Sequence, residues 1–534
     1  MRKYPVGIQS FEKIRSDGYV YVDKTALVYK MITNGCPYFL SRPRRFGKSL
    51  LVSTLAAVFE GRRELFEEIT LKNGTVQPRL FIATTDWEWE RYPVLRFDFS
   101  SGDLATIKDL DSLIDFTLSE YEEQYGIKPR RKSDFNLRMK KLIHTAEHEM
   151  GKKVVVLVDE YDNFILHSLG DTEKMTTARQ RFQHLFGPLK SEDDHIQFVF
   201  ITGISKFSQM GIFSKLNNLN NISMVPDYET ICGISEDELV TTLRPDIELL
   251  AERQGKSYDT MLAELKANYD GYHFGKGKTD MYNPFSLVKA FNNCDVDSYW
   301  FDSATPSSLI DMLANMPPVD INAIDGVECV ASAFDKPFDS YTYPLPILYQ
   351  SGYLTIKSYD REMNTYTLGF PNREVRIGFA ENLFHYVVSK QDQDDMKRNA
   401  LVLAYRRFRR DDVIAPFIEA LKVFFAGVPY MIDDKDEHHF HAMLYTLFVS
   451  FGADVVAEDF SAKGRADLTL KMPKGIYVIE LKYDDTADNA LRQIDERGYA
   501  HKYALDGRPV TKVGIAFSSK ERNITEWKSE HESN

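Results

Sequence analysis

Ser41-Arg42-Pro43-Arg44-Arg45-Phe46-Gly47-Lys48-Ser49 is the stretch on which the reading of this chain turns. Before it stands Pro37-Tyr38-Phe39-Leu40, an apolar run that reads as a short buried strand. After it, Leu50, Leu51, Leu55, Val58 and Phe59 recur at helical spacing through Ser49 to Glu60. A loop of this kind between strand and helix is a phosphate-binding loop. Its backbone N–H groups can curl around an anion at the positive end of the helix. Gly47 lets the backbone come close, Lys48 is expected to reach the β- and γ-phosphates, and Ser49 to offer its hydroxyl to Mg²⁺. Arg42, Pro43, Arg44, Arg45 and Phe46 complete the candidate nucleotide loop, with Arg42 standing where GxxxxGKS has its first glycine.

The partner motif lies about 110 residues on, in Lys153-Val154-Val155-Val156-Leu157-Val158-Asp159-Glu160. An unbroken apolar run marks a strand buried on both faces. Ending in Asp-Glu, it reads as a Walker B strand. Asp159 is then expected in the Mg²⁺ shell, and Glu160 is expected to orient and deprotonate the attacking water, with Asp162 as second choice. A third run, Gln197 to Thr202, leads into Gly203-Ile204-Ser205-Lys206, and either Thr202 or Ser205 is a candidate γ-phosphate sensor. Val94 to Phe99 adds a further strand. Strands separated by helical patterns predict an α/β fold, a parallel sheet with helices on both faces.

The remainder of the chain changes character twice. Residues 235 to about 340 read as helical. Leu345 to Pro371 reads as a short helix followed by a hairpin (Tyr353–Ser358 and Thr365–Phe370), which suggests a winged-helix module. From about residue 400, helices precede strands Ala466–Lys471, Ile476–Lys482 and Lys512–Phe517. The expected domains are 1–290, a nucleotide-binding domain with a helical extension; 291–400, a helical or winged-helix connection; and 401–534, a second α/β domain. At roughly 100–200 residues per domain, 534 residues accommodate three.

Composition narrows the class. Hydrophobic residues make up 43% and charged residues 27%, with 29 Tyr and 35 Phe, so the chain can build substantial cores and is not disordered. Its net charge of −13 places any nucleic-acid contact on a local basic surface. Lys128 to Lys141, with seven basic residues against Asp134, and Arg406, Arg407, Arg409 and Arg410 are the two runs able to supply one; a solvated helix face is the alternative for both. Cys36, Cys232, Cys294 and Cys329 have no CxxC spacing, so neither a zinc site nor a disulfide framework is suggested. Met1 to Ser10 lacks the apolar core of a signal peptide, and no stretch approaches the ~20 apolar residues of a membrane span. A cytoplasmic protein without a membrane partner is expected.

The C-terminal strands carry a second constellation. Gly464-Arg465-Ala466-Asp467-Leu468 is followed by Tyr477-Val478-Ile479-Glu480-Leu481-Lys482. Glu480 and Lys482 are two apart on one strand and so share a face. Twelve residues separate Asp467 from Glu480, enough for a hairpin that brings the carboxylates together. Clustered carboxylates suit a hard divalent cation, Mg²⁺ or Mn²⁺, and the lysine can position a water or stabilise developing charge. Glu437 opens a helix through His441, Leu444 and Tyr445; Glu458 lies just upstream of the first strand; Gln493 and Tyr499 lie on the helix after Lys482. His438, His439 and His441 could suggest a metal site, but His441 reads as a helix-packing residue.

Two resemblances rest on these residues. Tyr4-Pro5-Val6-Gly7 with Phe11, Tyr21-Val22-Asp23-Lys24-Thr25, the loop Arg42 to Ser49, Asp159-Glu160-Tyr161-Asp162, Thr202-Gly203-Ile204-Ser205-Lys206 and Tyr269-Asp270-Gly271-Tyr272 resemble the bacterial AAA-ATPase-like family over residues 5 to 290. Arginine at position 42 belongs to that family's loop. Residues 415 to 520 resemble the PD-(D/E)XK restriction-endonuclease-like superfamily, which such ATPases often carry at the C-terminus. That resemblance implies Asp467, Glu480 and Lys482 as the catalytic core, with Asp467 and Glu480 on the metal and Glu437, Glu458, Gln493 and Tyr499 as auxiliaries. Together they imply an ATP- and Mg²⁺-dependent ATPase whose nucleotide state controls a metal-dependent nuclease acting on nucleic acid, DNA in the first place. Bacterial defence or mobile-element biology is the setting that domain pairing suggests. Self-association into a homo-oligomer is left open. The alternative is an ATP-dependent signalling switch with a non-cleaving, nucleic-acid-binding C-terminal domain.

Overall fold

The computed structural model describes all residues except 1, 36, 101–103, 129–133, 169–170, 206–218, 278, 303–323, 335–343, 389–393, 427–436, 462 and 533–534, and side chains are described outside 384–398 and 427–439. The chain divides into two compact units, one of Met1–Met316 with Gly326–Glu374, the other of Pro317–Asp325 with Val375–Asn534. Among the described residues no helix is long and apolar enough to cross a membrane.

The first unit is built on a parallel sheet. Its strands are β1 (Tyr38–Ser41), β4 (Val94–Asp98), β5 (Val154–Asp159), β6 (Ile196–Gly203) and β7 (Asn220–Asn221), in the order β4-β5-β6-β1-β7; β2 (Ile69–Thr70) and β3 (Val76–Gln77) pair apart from it as a small hairpin. Every residue of β5 is buried, as its Val-rich run requires. Val154, Val156 and Val158 face a core with Leu95, Phe97, Leu142, Ile143 and Phe182, under the helices Ile107–Gln124, Phe135–Met150 and Thr172–Phe186. The side chains between them point the other way, and there the helix Lys48–Phe59 packs against β4, β5 and β6. The parallel sheet covered on both faces is therefore present. Because β6 lies between β1 and β5, the loop after β1 and the acidic end of β5 reach the same sheet edge one strand apart.

A helical layer follows. The helices Glu236–Thr242, Arg244–Arg253, Tyr258–Tyr269 and Pro284–Asn293 close a separate core with Tyr4 and Val20 from the N-terminal segment. Within this layer β8 (Ile234–Ser235) and β9 (Met281–Tyr282) form a two-residue antiparallel pair. Asn283 caps the helix Pro284–Asn293, its side chain accepting from the N–H groups of Phe285 and Ser286, and Pro284 takes the first position where no donor is needed. The expected helix-and-hairpin module is the helix Leu345–Ser351 with β11 (Thr355–Asp360) and β12 (Thr365–Gly369). It gains a strand that the helical reading of 235–340 did not anticipate: β10 (Val327–Val330) pairs antiparallel with β12. β10 is a four-residue edge whose alternate residues are exposed, too short to show a period.

The second unit carries β13 (Val455–Ser461), β14 (Gly464–Lys471), β15 (Ile476–Tyr483), β16 (Val510–Ser518) and β17 (Asn523–His531), paired in that order. Only β15 and β16 run parallel, and the helix Ala487–Arg497 makes the crossover between them, capped by Thr486 at its start and by Gly498 at φ 62° at its end. Both outer strands escaped the sequence reading. β13 and β17 are edges with few buried positions, so their composition is mixed.

Candidate active sites

The loop after β1 takes its shape from two left-handed residues, Arg45 at φ 68° and Gly47 at φ 89°. Lys48 lies within the loop, its Nζ donating to the carbonyls of Arg42 (3.1 Å) and Pro43 (3.0 Å). Arg42 turns away. Its buried guanidinium donates to the carbonyls of Ser41, Ser223 and Tyr228 and lies 4.2 Å from the Phe274 ring centroid. An arginine therefore replaces the usual first glycine without filling the phosphate space, and it anchors the loop's base. Phe46 is buried edge-on to Tyr272 and Phe274, with ring centroids at 4.7 and 5.1 Å. Arg45 stacks over Phe285 at 3.6 Å.

Arg44, Arg45, Gly47, Lys48, Ser49 and Glu160 line an open cleft of about 540 Å³, which also takes in Pro5 to Gln9, Ser100, Asn163 and Pro284. Asp159, 1% exposed, lies behind it. Burial pushes its carboxyl up to about 6; the Ser49 hydroxyl opposes this, Glu160 adds to it, Lys48 opposes it and Asp98 adds to it. Neither Asp159 oxygen makes a well-formed hydrogen bond, the Ser49 hydroxyl being the nearby donor that acts on the carboxylate. Buried polar atoms are rarely left so, and two orphaned oxygens beside a serine and a lysine fit a divalent cation. Glu160 follows at φ 48°, a left-handed conformation costly for a non-glycine residue and typical of functional sites.

The candidate sensors are engaged elsewhere. Thr202 donates from its hydroxyl to the Leu40 carbonyl at 2.8 Å, across the β1–β6 pair. Ser205 donates to Asp162, which also accepts from the backbone N–H of Ile204 and of Ser205. Asp162 is 1% exposed and committed to this turn, so it is not poised to receive a proton from water. A Cβ at Gly203 would meet Asp162 at 2.5 Å and the Tyr161 ring at 2.7 Å, which is why glycine precedes the turn. Sequence reasoning missed Asp98, which pairs in register with Asp159 at the tip of β4. Its signal was available: Val94 to Asp98 ends in an acid just as β5 does.

In the second unit, antiparallel pairing of Leu468 with Ile479 runs on to bring Asp467 beside Glu480 and Leu481. Asp467 Oδ2 accepts from the Leu481 N–H at 2.7 Å. The Lys482 Nζ donates to Glu480 Oε1 at 3.2 Å, and Gln493, from the crossover helix, donates to the same oxygen. Glu480 is 1% exposed, and its other oxygen, Oε2, has no partner. Burial, then the Asp467 charge, raises the Glu480 carboxyl to about 7, and burial raises Asp467 too. Two buried carboxylates that both resist ionisation, one with an orphaned oxygen, again fit a divalent cation.

The auxiliaries divide. Gln493 joins the core. Glu458 precedes the strand of Asp467 as expected, but within the edge strand β13, at φ 48° and at the register position facing Asp467, between the pairs Ala457↔Leu468 and Asp459↔Ala466. Its charge adds to the upward push on the Asp467 carboxyl, and its Oε2 pairs with Arg465 at 2.9 Å. Tyr499 lies beyond the helix end at Gly498, buried among Ala466, Val478 and Ile494 and packed over Gly464. Glu437 is in the first turn of the helix Glu437–Ser450, and its side chain lies outside the described residues, as do those of His438 and His439. His441 is buried in that helix, and its Nε2 lies 2.8 Å from the Asp467 carbonyl. It packs as expected and also holds the strand that carries Asp467.

The comparisons with known proteins fall on these two sites. Residues 5–213 match the family described as predicted AAA-ATPase, and residues 435–527 match the PD-(D/E)XK nuclease superfamily. Along its whole length the chain is similar to the "Uncharacterized protein in vnfD 5'region" of Azotobacter chroococcum mcd 1, 33% identical over 538 residues and covering 98% of each. Among solved structures, the Aeropyrum pernix ORC2 protein in its ADPNP–ADP complexes aligns with 67% of this chain and 93% of its own, at 12% identity and a TM-score of 0.24. With the loop and acidic strand end inside the first matched segment, and the paired carboxylates and lysine inside the second, the chain belongs to the AAA-ATPase-like family and carries a PD-(D/E)XK nuclease superfamily domain at its C-terminal end.

Proposed function

We propose that this protein binds and hydrolyses ATP in its first unit and that the nucleotide state controls cleavage of nucleic acid, DNA above all, in its second. The observation that carries the reading is the same in both units: a buried carboxylate with an oxygen that makes no well-formed hydrogen bond, Asp159 beneath the loop and Glu480 beside Asp467. Ser49 and Asp159 would hold Mg²⁺ in the first, Asp467 and Glu480 Mg²⁺ or Mn²⁺ in the second. When bound, such a cation polarises phosphoryl oxygens and stabilises charge as it develops. The chain's own residues do the rest. Lys48 exchanges the Arg42 and Pro43 carbonyls for phosphate oxygens. Glu160, at the cleft wall, orients a water and takes its proton. Lys482, already directed at the Glu480 carboxylate, positions the water that attacks the phosphodiester. Cytoplasmic, bacterial surroundings suit this pairing of activities.

A set of hydrogen bonds in the first unit supports the reading of control by nucleotide. Glu374 is buried, and its Oε1 accepts from the N–H groups of Tyr299 and Trp300 and from the Ser286 hydroxyl. Ser286 belongs to the helix Pro284–Asn293, whose first residues line the cleft. Glu374 itself lies in the first turn of the helix Arg373–Val388, which carries the chain from the first unit into the second.

Calorimetric titration with Mn²⁺, beside a cleavage assay, tests the nuclease half. Asp467→Ala is expected to lose one metal site and all cleavage, whereas Lys482→Ala keeps the metal and loses cleavage. Wild-type cleavage by Lys482→Ala would reduce the second unit to a binding module.

A further inference from the structure

A third cluster of ligating side chains lies away from both sites, at the N-terminal end of β6, opposite the strand tips that carry Asp159 and Thr202. His144 and Glu147 lie one turn apart on the helix Phe135–Met150. Glu192 and His195 come from the turn between the short helix Pro188–Ser191 and β6. The rings of His144 and His195 have centroids 4.1 Å apart. One ligand atom each from His144, Glu192 and His195 lies within 4.8 Å of the others, and among the described residues no other group of three does so.

What separates this cluster from a chance surface ion pair is how two of its three groups are held from behind. Glu192 is 9% exposed. Its Oε1 is engaged by Lys140 Nζ and by the Ser191 hydroxyl, both at 2.8 Å, and this leaves Oε2 directed at His144 Nε2, 2.8 Å away. His195 Nδ1 is bonded to Glu147 Oε2, so the proton of a neutral His195 sits on Nδ1 and the lone pair on Nε2. A carboxylate behind a histidine is the usual outer partner of a metal-bound imidazole.

We propose that His144, Glu192 and His195 form a binding site for a divalent transition metal, zinc by preference, with Glu147 orienting His195 from outside. Two imidazoles and one carboxylate make a three-ligand zinc set whose fourth position takes water. Nitrogen donors discriminate against Mg²⁺, which prefers the all-oxygen sets at Asp159 and Glu480. The Lys140 ammonium opposes a second cation, but it binds the far oxygen and is 36% exposed, so water screens it. His144 lies 48 residues before Glu192 in the chain. A metal there would tie the helix Phe135–Met150 to the entry of β6 and stabilise the ATPase unit, because it binds the folded chain and not the unfolded one.

The full chain, stripped with a chelator and held in excess Mg²⁺ to occupy the oxygen sites, is titrated with Zn²⁺ by calorimetry and with Co²⁺ by visible absorption. Wild type is expected to take up one more Zn²⁺ per chain than His144→Ala or His195→Ala, to show a Co²⁺ band that both variants lack, and to melt at a higher temperature with Zn²⁺ than without. Glu147→Gln should keep the stoichiometry and bind about 10–100-fold more weakly. His144 is half-exposed, so its replacement leaves the metal-free melting temperature in place, and His144→Gln repeats the comparison with a bulkier side chain. Equal Zn²⁺ uptake by wild type and the histidine variants, or none by wild type, would overturn the site.

Discussion

At the residue scale, function depends on which polar atoms the fold leaves without partners. Glu160 lines the cleft in a left-handed conformation, while Asp162 is consumed by the Ile204–Ser205 turn. Glu160→Gln should therefore bind ATP and release phosphate roughly 10²–10⁴-fold more slowly, the usual cost of losing a positioned base. A wild-type rate of phosphate release in this variant would contradict that assignment, since Asp162 cannot take over. Asp270 gives a pH test away from any metal. It is 4% exposed, its Oδ1 lacks a partner, and burial raises its carboxyl from 3.8 to about 6. Between those values the folded chain keeps a proton that the unfolded chain has released. Stability thus falls as pH rises from about 4 through 6, and the cost is fully present above that. Asp270→Asn should raise the melting temperature most at pH 8, by roughly half as much at pH 5, and little below about pH 4; an equal change at all three would show that the charge is not what destabilises. The positions of Lys48, Asp159 and Glu480 were legible because spacing along a strand and its following turn encodes them. The long-range partners of Arg42, Asp162 and His441 lie 26 to 186 residues away, and no local pattern announces them.

At the scale of elements, the parallel sheet was readable from its fully buried runs, and the carboxylate hairpin from twelve intervening residues. The edge strands β10, β13 and β17 were not, because a strand that shows one side to water carries little apolar signal. The two basic runs separate on the same ground. In Lys128 to Lys141, Arg138 is buried between Asp115 and Glu122, Lys140 pairs with Glu192, and residues 129–133 lie outside the described residues. On the helix Asp394–Asp411, Arg406, Arg407, Arg409 and Arg410 are all exposed, and Arg410 pairs with Asp411. That helix is the better phosphate-binding face. If it binds DNA, the logarithm of affinity falls steeply with the logarithm of salt concentration, and replacing Arg406, Arg407 and Arg409 with glutamine should make that slope shallower by roughly two to three. An identical slope would return the run to a solvated face.

At the scale of the whole molecule, a single chain holds two sites that each suit a divalent cation and a phosphate ester, and the helix Arg373–Val388 runs from one unit into the other. Whether the first governs the second is the central claim. It is tested most directly by cleavage of end-labelled DNA by the full chain with Mg²⁺, with and without ATP, in wild type and in Lys48→Ala. Cleavage is predicted to depend on ATP in wild type and to lose that dependence in Lys48→Ala. Cleavage that is equal with and without ATP in wild type, or a nucleotide response that persists in Lys48→Ala, would contradict the account.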